Sequence, residues 1–485
     1  MRFEKSIVIV GGGCSGVLVA AQLARHPSVT PRRVMLVDRR AATGSGTAFG
    51  TRRPCHLLNV PAGRMSAFAD DPGDFARWAC SHDPTVRDDT FVARGLYGDY
   101  LRHVLEEASR VGSVTELALI TGEAECIEPS STGATVHVDD GTTIFADCVV
   151  LALGNATPAD PPVADTRFYD SPRYTRNPWQ RGAIDAIGND GPVLLIGSGL
   201  TAVDVMLALQ ARGHRGLIHA VSRHGLLPLA HCTRPAVGAG DVDLDAALSA
   251  PSVTKLLHAV REAVRDAEAG GRDWRTVVDS LRPHTAGLWA SLSDADRRRF
   301  LRHAARYWEV HRYRMAPAVA RSIAALLSCE NVTVTRGRIV AYTEHDDRVV
   351  VTIREPGGIR GELRVDHVVN CTGPRPDVVN VGDPVIDSLV ASGLARAGPL
   401  GFGIDTDARG ALLDCAGQVS DVLWTLGSLR RGQLWETTAV GEIRQQAAEV
   451  AGNLLGRGHR LSRRGGGAIR SDAHVKLRGG EVSTT

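Results

Sequence analysis

Short apolar runs of strand length recur along the chain, and most of them end in glycine. Ser6–Val10 is β-branched and apolar, and runs straight into Gly11–Gly16; an alanine-rich apolar helix is predicted over Val17–Ala24 and a second strand over Val34–Asp38. The pattern returns at Pro192–Ile196, followed by Gly197–Ala202, a helix to Ala211 and a strand over Gly216–Val221. Between these units, Asp71 and Pro72 read as a cap and first-turn proline for a helix over Gly73–Ser81, and Tyr97–Val111 has amphipathic spacing. Strands near Leu117–Ile120, Ala134–Val138 and Thr142–Phe145 predict an antiparallel meander, and Cys148–Leu153 a buried strand returning to Gly154. After the second unit the pattern turns helical over Asp243–Leu327, as at Ala259–Ala269 and Ser293–Val310, and is read as an insertion spanning 240–328. Strands resume at Val332–Thr335, Arg338–Thr343 and Val349–Arg354, and a second return ends at Gly373. The last unit is a strand to Gly427 and a helix over Trp435–Leu455, with Ala439, Ile443, Ala447 and Val450 on one face. Residues 456–485, rich in glycine and arginine, read as a flexible tail.

Strand, glycine turn, helix and strand in this order form the phosphate-binding half of a Rossmann-like unit. In Gly11-x-Gly13-x-x-Gly16, the first glycine permits the tight turn, the second lets backbone approach a pyrophosphate, and the third lets helix and strand pack. Cys14 and Ser15 open the helix, whose free N–H groups face the phosphates. Asp38, 22 residues beyond Gly16, stands where a carboxylate accepts from ribose hydroxyls, and Arg39 follows it into the same site. The second turn, with Gly197, Gly199, Leu200 and Thr201, ends its next strand in Ser222 and Arg223 where an acid would bind a free ribose hydroxyl. A serine and an arginine suit a 2′-phosphate, which favours NADPH; a solvated loop arginine is the other reading. The loop Cys55–Phe68 is too apolar for an exposed loop and too broken by Pro61 and Gly63 for a helix, so it either lines a cofactor or packs on the core.

Composition narrows the chemistry. A formal charge of +2 over 485 residues gives no reason to expect nucleic acid or a membrane surface, and no apolar run approaches spanning length. Only Lys5, Lys255 and Lys476 are lysines, so a lysine-anchored cofactor is disfavoured. The nine cysteines are scattered without C-x-x-C, which argues against zinc, against a redox dithiol and for a reducing cytoplasm. The N-terminus enters the first strand at once, with no expected signal peptide.

Two nucleotide units, each with a meander and a glycine return, plus a final strand–helix, resemble the two-dinucleotide-domain flavoproteins. The blocks Leu57–Phe68, Gly199–Thr201, Ser222–Pro228, His311–Arg314 and Leu434–Ala439 resemble, more narrowly, a bacterial FAD/NAD(P)-binding oxidoreductase family related to N-hydroxylating and other class B flavin monooxygenases. The resemblance implies an α/β fold with an FAD domain over 1–160 and 370–455 and an NADPH domain over 161–369. It adds Asn59, Val60, Met65, Gly154, Gly373, Gly427 and Trp435 to the cofactor contacts, with N–H groups near Trp435 facing the reduced flavin. Many relatives end the last strand in Gly-Asp; here it reads Gly427-Ser428, which puts that flavin contact in question. Oxygen activation through a flavin C4a-hydroperoxide is the favoured chemistry; dehydrogenation without oxygen insertion and a non-catalytic sensor are the alternatives. For a small, anionic, amino-acid-like substrate the candidate contacts are Arg64, His311, Arg314 and Arg430 or Arg431, with His231 and His56 behind them. The helical insert is either a cap over the site or a surface for homo-oligomer contacts.

Overall fold

In a computed structural model, residues 3–27, 31–39, 44–110, 114–130, 132–232, 252–377 and 382–456 are described. The first part of the helical insert (233–251) and nearly all of the tail lie outside them. A six-stranded sheet runs in the order Ala411–Leu413, Val419–Thr425, Cys148–Leu151, Lys5–Val10, Arg32–Asp38, Thr115–Thr121, parallel except at the Ala411–Leu413 edge. Its central strands bury both faces, which is why they read as unbroken apolar runs. On one face lie the helices Cys14–Arg25, Arg94–Arg110 and Val440–Leu454; on the other, a meander and the helix Pro384–Ala391. Val17, Leu18 and Leu23 are fully buried, each worth about 1.5–3 kcal/mol.

The second sheet has five parallel strands in the order Val332–Arg336, Ile218–Ser222, Val193–Ile196, His367–Asn370, Tyr174–Thr175. Each unit carries its meander, but neither starts where the pattern placed it. Thr115–Thr121 pairs in parallel with Arg32–Asp38, and the meander is Ala124–Ser130, Gly133–Val138, Thr143–Ala146. Likewise Val332–Arg336 joins the parallel sheet, leaving Arg338–Glu344, Val349–Arg354 and Arg360–Val365 as the second meander. Alternation along one strand does not say which sheet it will join.

The two units are pinned at a buried ion pair, Arg94–Asp204 at 2.7 Å, where the helix Leu200–Ala211 meets the start of the helix Arg94–Arg110. His56, 1 % exposed, spans the same contact, its ring nitrogens within bonding distance of Asp204 O (3.1 Å) and Thr51 Oγ1 (2.8 Å). That histidine is structural.

Candidate active site between two nucleotide turns and a helical insert

The first turn divides its glycines by task. Gly11 has φ +108°, and a Cβ there would stand 2.4 Å from Ala152 O; one on Gly16 would stand 1.9 Å from Gly11 O. Both are demanded by the fold itself. A Cβ on Gly13 would meet only Gly46 Cα, at 3.7 Å, so that glycine keeps open a space that the protein does not fill. The helix Cys14–Arg25 starts beside this space without a side-chain cap. Burial pushes the Cys14 thiol up to about 12, so it is neutral. Asp38 Oδ2 accepts from Gly12 N–H (2.5 Å), which sets the carboxylate at the edge of the turn. Arg39 stays exposed, 3.4 Å from Glu123.

The glycine returns converge on this turn. Gly427, at φ +73°, leaves room of only 3.1 Å between a would-be Cβ and Ser15 Oγ, and the Ser428 hydroxyl donates to Gly154 O. Thr437 Oγ1 donates to Gly427 O (3.0 Å) while Gln446 accepts from Gly427 N–H (3.0 Å). Ser428 therefore serves the backbone in the place where an aspartate would follow Gly427.

The second turn repeats the division. Gly197 has φ +109° with a would-be Cβ 2.7 Å from Cys371 O, whereas at Gly199 the nearest atom is Arg306 Nη1, at 3.7 Å. Gly373, at φ +85°, has open space where its Cβ would stand. Leu200 and Thr201 begin the helix. Ser222 is tied to Ser198 Oγ (2.8 Å) and Gly225 N–H (3.0 Å), so it shapes the turn, while Arg223 is exposed. Arg336 is the register partner of Ser222 on the edge strand. The His224 imidazole is held below its usual range by burial and by Arg223, Arg336, Arg306 and Arg338 around it. Four arginines from different elements thus give the surroundings of His224, just past the strand Ile218–Ser222, a positive field.

A cleft lies between the loop Asn59–Arg64, the insert and the start of the last helix at Ala439. The loop has two sides. Leu58, Ala62, Met65, Ala67 and Phe68 are buried in the first core, and Asn59, Val60, Pro61 and Arg64 face the cleft. Met65, 4 % exposed, thus supports the loop from beneath it. Arg64 makes a turn of 3₁₀ helix with Ala62 and Gly63 and is exposed. From the insert come Asp279, Arg282, Arg312, Tyr313 and Arg314.

Most of the cleft's cations are neutralised. Arg282 bonds Glu442 at 2.7 and 3.0 Å; Arg312 bonds Glu436 at 3.0 Å and lies 3.7 Å from Glu442; Arg314 pairs with Asp279. Arg64 is the cleft arginine without an acidic partner among the described residues. His231 donates from Nε2 to Asn59 O (2.9 Å), with its ring against Phe91. Burial, aided by Arg314, pushes its pKa down to about 4, so the ring is neutral and Nδ1 is a free acceptor.

Three of the candidates drawn from the sequence belong elsewhere by geometry, since an apolar or paired environment claims each side chain. His311 donates to Tyr307 O (2.7 Å) and sits edge-on to Trp274, outside the cleft. Arg430, 2 % exposed, donates to the carbonyls of Asp407 (3.3 Å) and Ala408 (2.9 Å) and is structural. Trp435 has φ +60° and stacks on Trp289 (4.9 Å) in the core of the insert, with Arg431 over its face. The last helix accordingly begins at Val440 and not near Trp435, yet its N-terminus still opens on the cleft through Ala439. Asp279 and Arg282 carry no sequence signal, and Arg312, though inside the block His311–Arg314, is not among the candidate contacts.

Neutral burial of histidine has a pH consequence. His231 and His367 are both pushed down to about 4, while an unfolded histidine titrates near about 6.5. Between those values the unfolded chain binds more protons, so stability is full above the unfolded value and is lost as pH falls from it toward 4. Thermal midpoints measured from pH 7 to 4 should decline over this window; a flat profile would show that neither ring is kept neutral by the fold.

The comparisons bear on the fold. Residues 8–156 match a family model described as FAD-NAD(P)-binding. A search of curated proteins finds no match. Among solved structures, the chain is similar to an ornithine N-hydroxylase from Kutzneria with reduced FAD, NADP⁺ and L-ornithine (14 % identity, TM-score 0.61, 93 % of this chain and 98 % of that one). It is similar to L-lysine 6-monooxygenase from Pseudomonas syringae (16 %, 0.63, 93 % and 99 %). A third similar structure is the FAD-bound cadaverine monooxygenase DfoA from Erwinia amylovora (12 %, 0.63, 97 % and 100 %). No helix among the described residues is long and apolar enough to cross a membrane. The segment that contains the Gly11–Gly16 turn thus matches an FAD-NAD(P)-binding domain model, within a chain that shares the fold of these two-dinucleotide-domain flavoenzymes over nearly its whole length.

Proposed function

We propose that the protein is an FAD-dependent, NADPH-using monooxygenase acting on a small substrate that carries an anionic group, such as the carboxylate of an amino acid. The observation that carries this reading is the cleft itself. It joins the loop Asn59–Arg64, the insert and the N-terminus of the last helix, and it contains one arginine, Arg64, with no acid to pair with among the described residues. Bound flavin, reduced by NADPH, would supply oxygen activation, chemistry that asks no nucleophile of the protein. The chain's own residues would bind and orient cofactor and substrate. Gly13 would admit the FAD pyrophosphate, Asp38 would accept from its ribose, and Asn59 and Val60 would border the ring system. The N–H groups at the start of Val440–Leu454 would offset negative charge developing on the ring. Arg64 would hold the substrate anion. His231, fixed by Asn59 O and neutral, would accept a hydrogen bond from the substrate at Nδ1. No pair of cysteines occurs at dithiol spacing, which favours this reading over a thiol-relay reductase.

Purified protein should be yellow, and NADPH oxidation should be coupled to oxygen uptake when substrate is present. Amino acids should stimulate that coupling, while the amines lacking their carboxylate should not. NADPH oxidation indifferent to oxygen would point to a reductase or dehydrogenase, and a flavin that NADPH never reduces would point to a sensor. Exchanging Arg223→Asp should shift preference from NADPH toward NADH by removing a cation from the 2′-phosphate and adding an acceptor for a ribose hydroxyl. An unchanged ratio of kcat/KM for the two cofactors would refute that role.

A further inference from the structure

The helical insert reaches the second nucleotide turn through one side chain. Arg306, in the helix Ala305–Arg312, donates from Nη2 to the carbonyls of Leu226 (2.7 Å) and Ser198 (3.3 Å). Its Nη1 lies 3.7 Å from where a Cβ on Gly199 would stand, and 3.6 Å from Glu309. Gly199 is the second glycine of its turn, the position that leaves space for a pyrophosphate. A guanidinium anchored by two backbone carbonyls therefore overhangs that space, with N–H groups of its other nitrogen in reach of phosphate oxygens.

We propose that Arg306 grips the pyrophosphate of the nicotinamide dinucleotide, so that the cofactor is held between the Gly197–Thr201 turn and the insert. The inference rests on the assignment of that turn to NADPH made above. Its chemistry is separable from that of Arg223, because the 2′-phosphate is present only in NADPH and the pyrophosphate is common to NADPH and NADH. The same helix ends at Arg312, which lines the cleft, a rise of about 9 Å from Arg306. Cofactor binding thereby engages the element that shapes the substrate side of the site.

Calorimetric titration of the FAD-loaded protein with NADP⁺ and with NAD⁺ tests this. Arg306→Gln should weaken both ligands by a like factor, at least about tenfold, as expected for a lost charge-assisted hydrogen bond. Arg306→Lys should recover part of the loss, and flavin content and spectrum should match the wild type in both variants. An Arg306→Gln protein that binds both ligands as the wild type does, or that loses affinity for NADP⁺ alone, would overturn the proposal. A wild-type protein that binds neither would overturn the assignment of the turn and the proposal with it.

Discussion

Replacing Gly13 by alanine should give a folded protein that has lost its flavin. The added Cβ meets only Gly46 Cα, at 3.7 Å, an ordinary contact, and Gly13 has no positive φ to violate. The fold therefore has no objection to the methyl group. The cofactor does, because the methyl stands in the gap kept for the pyrophosphate. Gly16→Ala is the contrast: its Cβ would stand 1.9 Å from Gly11 O and 3.3 Å from Ile9 Cγ2, so helix and strand must separate. Flavin content per protein after purification and thermal midpoint, measured together, distinguish the two. Gly13→Ala should be colourless with a midpoint near that of the unliganded wild type, and Gly16→Ala should lower the midpoint or fail to fold. A yellow Gly13→Ala protein with wild-type flavin content would show that this turn does not hold the dinucleotide.

The second large effect is expected at Glu436. Its carboxylate is buried, accepts from Trp308 Nε1 (2.7 Å) and Arg312 Nε (3.0 Å), and joins the insert to the segment before the last helix. Arg312 and Glu436 side chains are 9 % and 3 % exposed, so removing the acid leaves a buried guanidinium dependent on Glu442 at 3.7 Å. Breaking a buried pair in this way costs about 3–5 kcal/mol. Because the chain has more than one cooperative unit, the loss should concentrate in the insert and not across the whole molecule. Glu436→Ala should thus become susceptible to proteolysis within 252–328 under conditions where the wild type resists, with flavin still bound to the first unit. Glu436→Gln, which keeps a side-chain oxygen to accept from Trp308, should fall between them. Equal resistance of all three proteins would show that the insert is held by its apolar contacts alone.

How far the sequence could be read depended on how local each cause was. The two nucleotide turns were legible because strand, glycines and helix are close neighbours along the chain, and the steric reason for Gly11, Gly16 and Gly197 is carried by those elements and the strands beside them. The meanders were legible as a class but not in register, since the strands Thr115–Thr121 and Val332–Arg336 give the same local pattern whether they join a parallel sheet or a hairpin. Trp435 fits the helical spacing of Ala439 and Ile443, yet the chain turns there through φ +60° because Trp289 and Phe300 offer its ring a better partner. Arginine was the hardest residue to read. Arg64 and Arg314 do face the cleft, whereas Arg430 is consumed by two carbonyls, and Arg282 and Arg306 had no distinguishing context in so arginine-rich a chain. Which guanidinium is free is a property of the folded ion pairs.

Catalysis as proposed requires two nucleotide turns in one chain to bring a nicotinamide ring against a flavin ring. Anaerobic titration of the purified yellow protein with NADPH measures that directly. The flavin absorption band should bleach in proportion to added NADPH, and return when oxygen is admitted. A protein that retains no flavin, or whose flavin stays oxidised under excess NADPH while a chemical reductant bleaches it, would contradict this function.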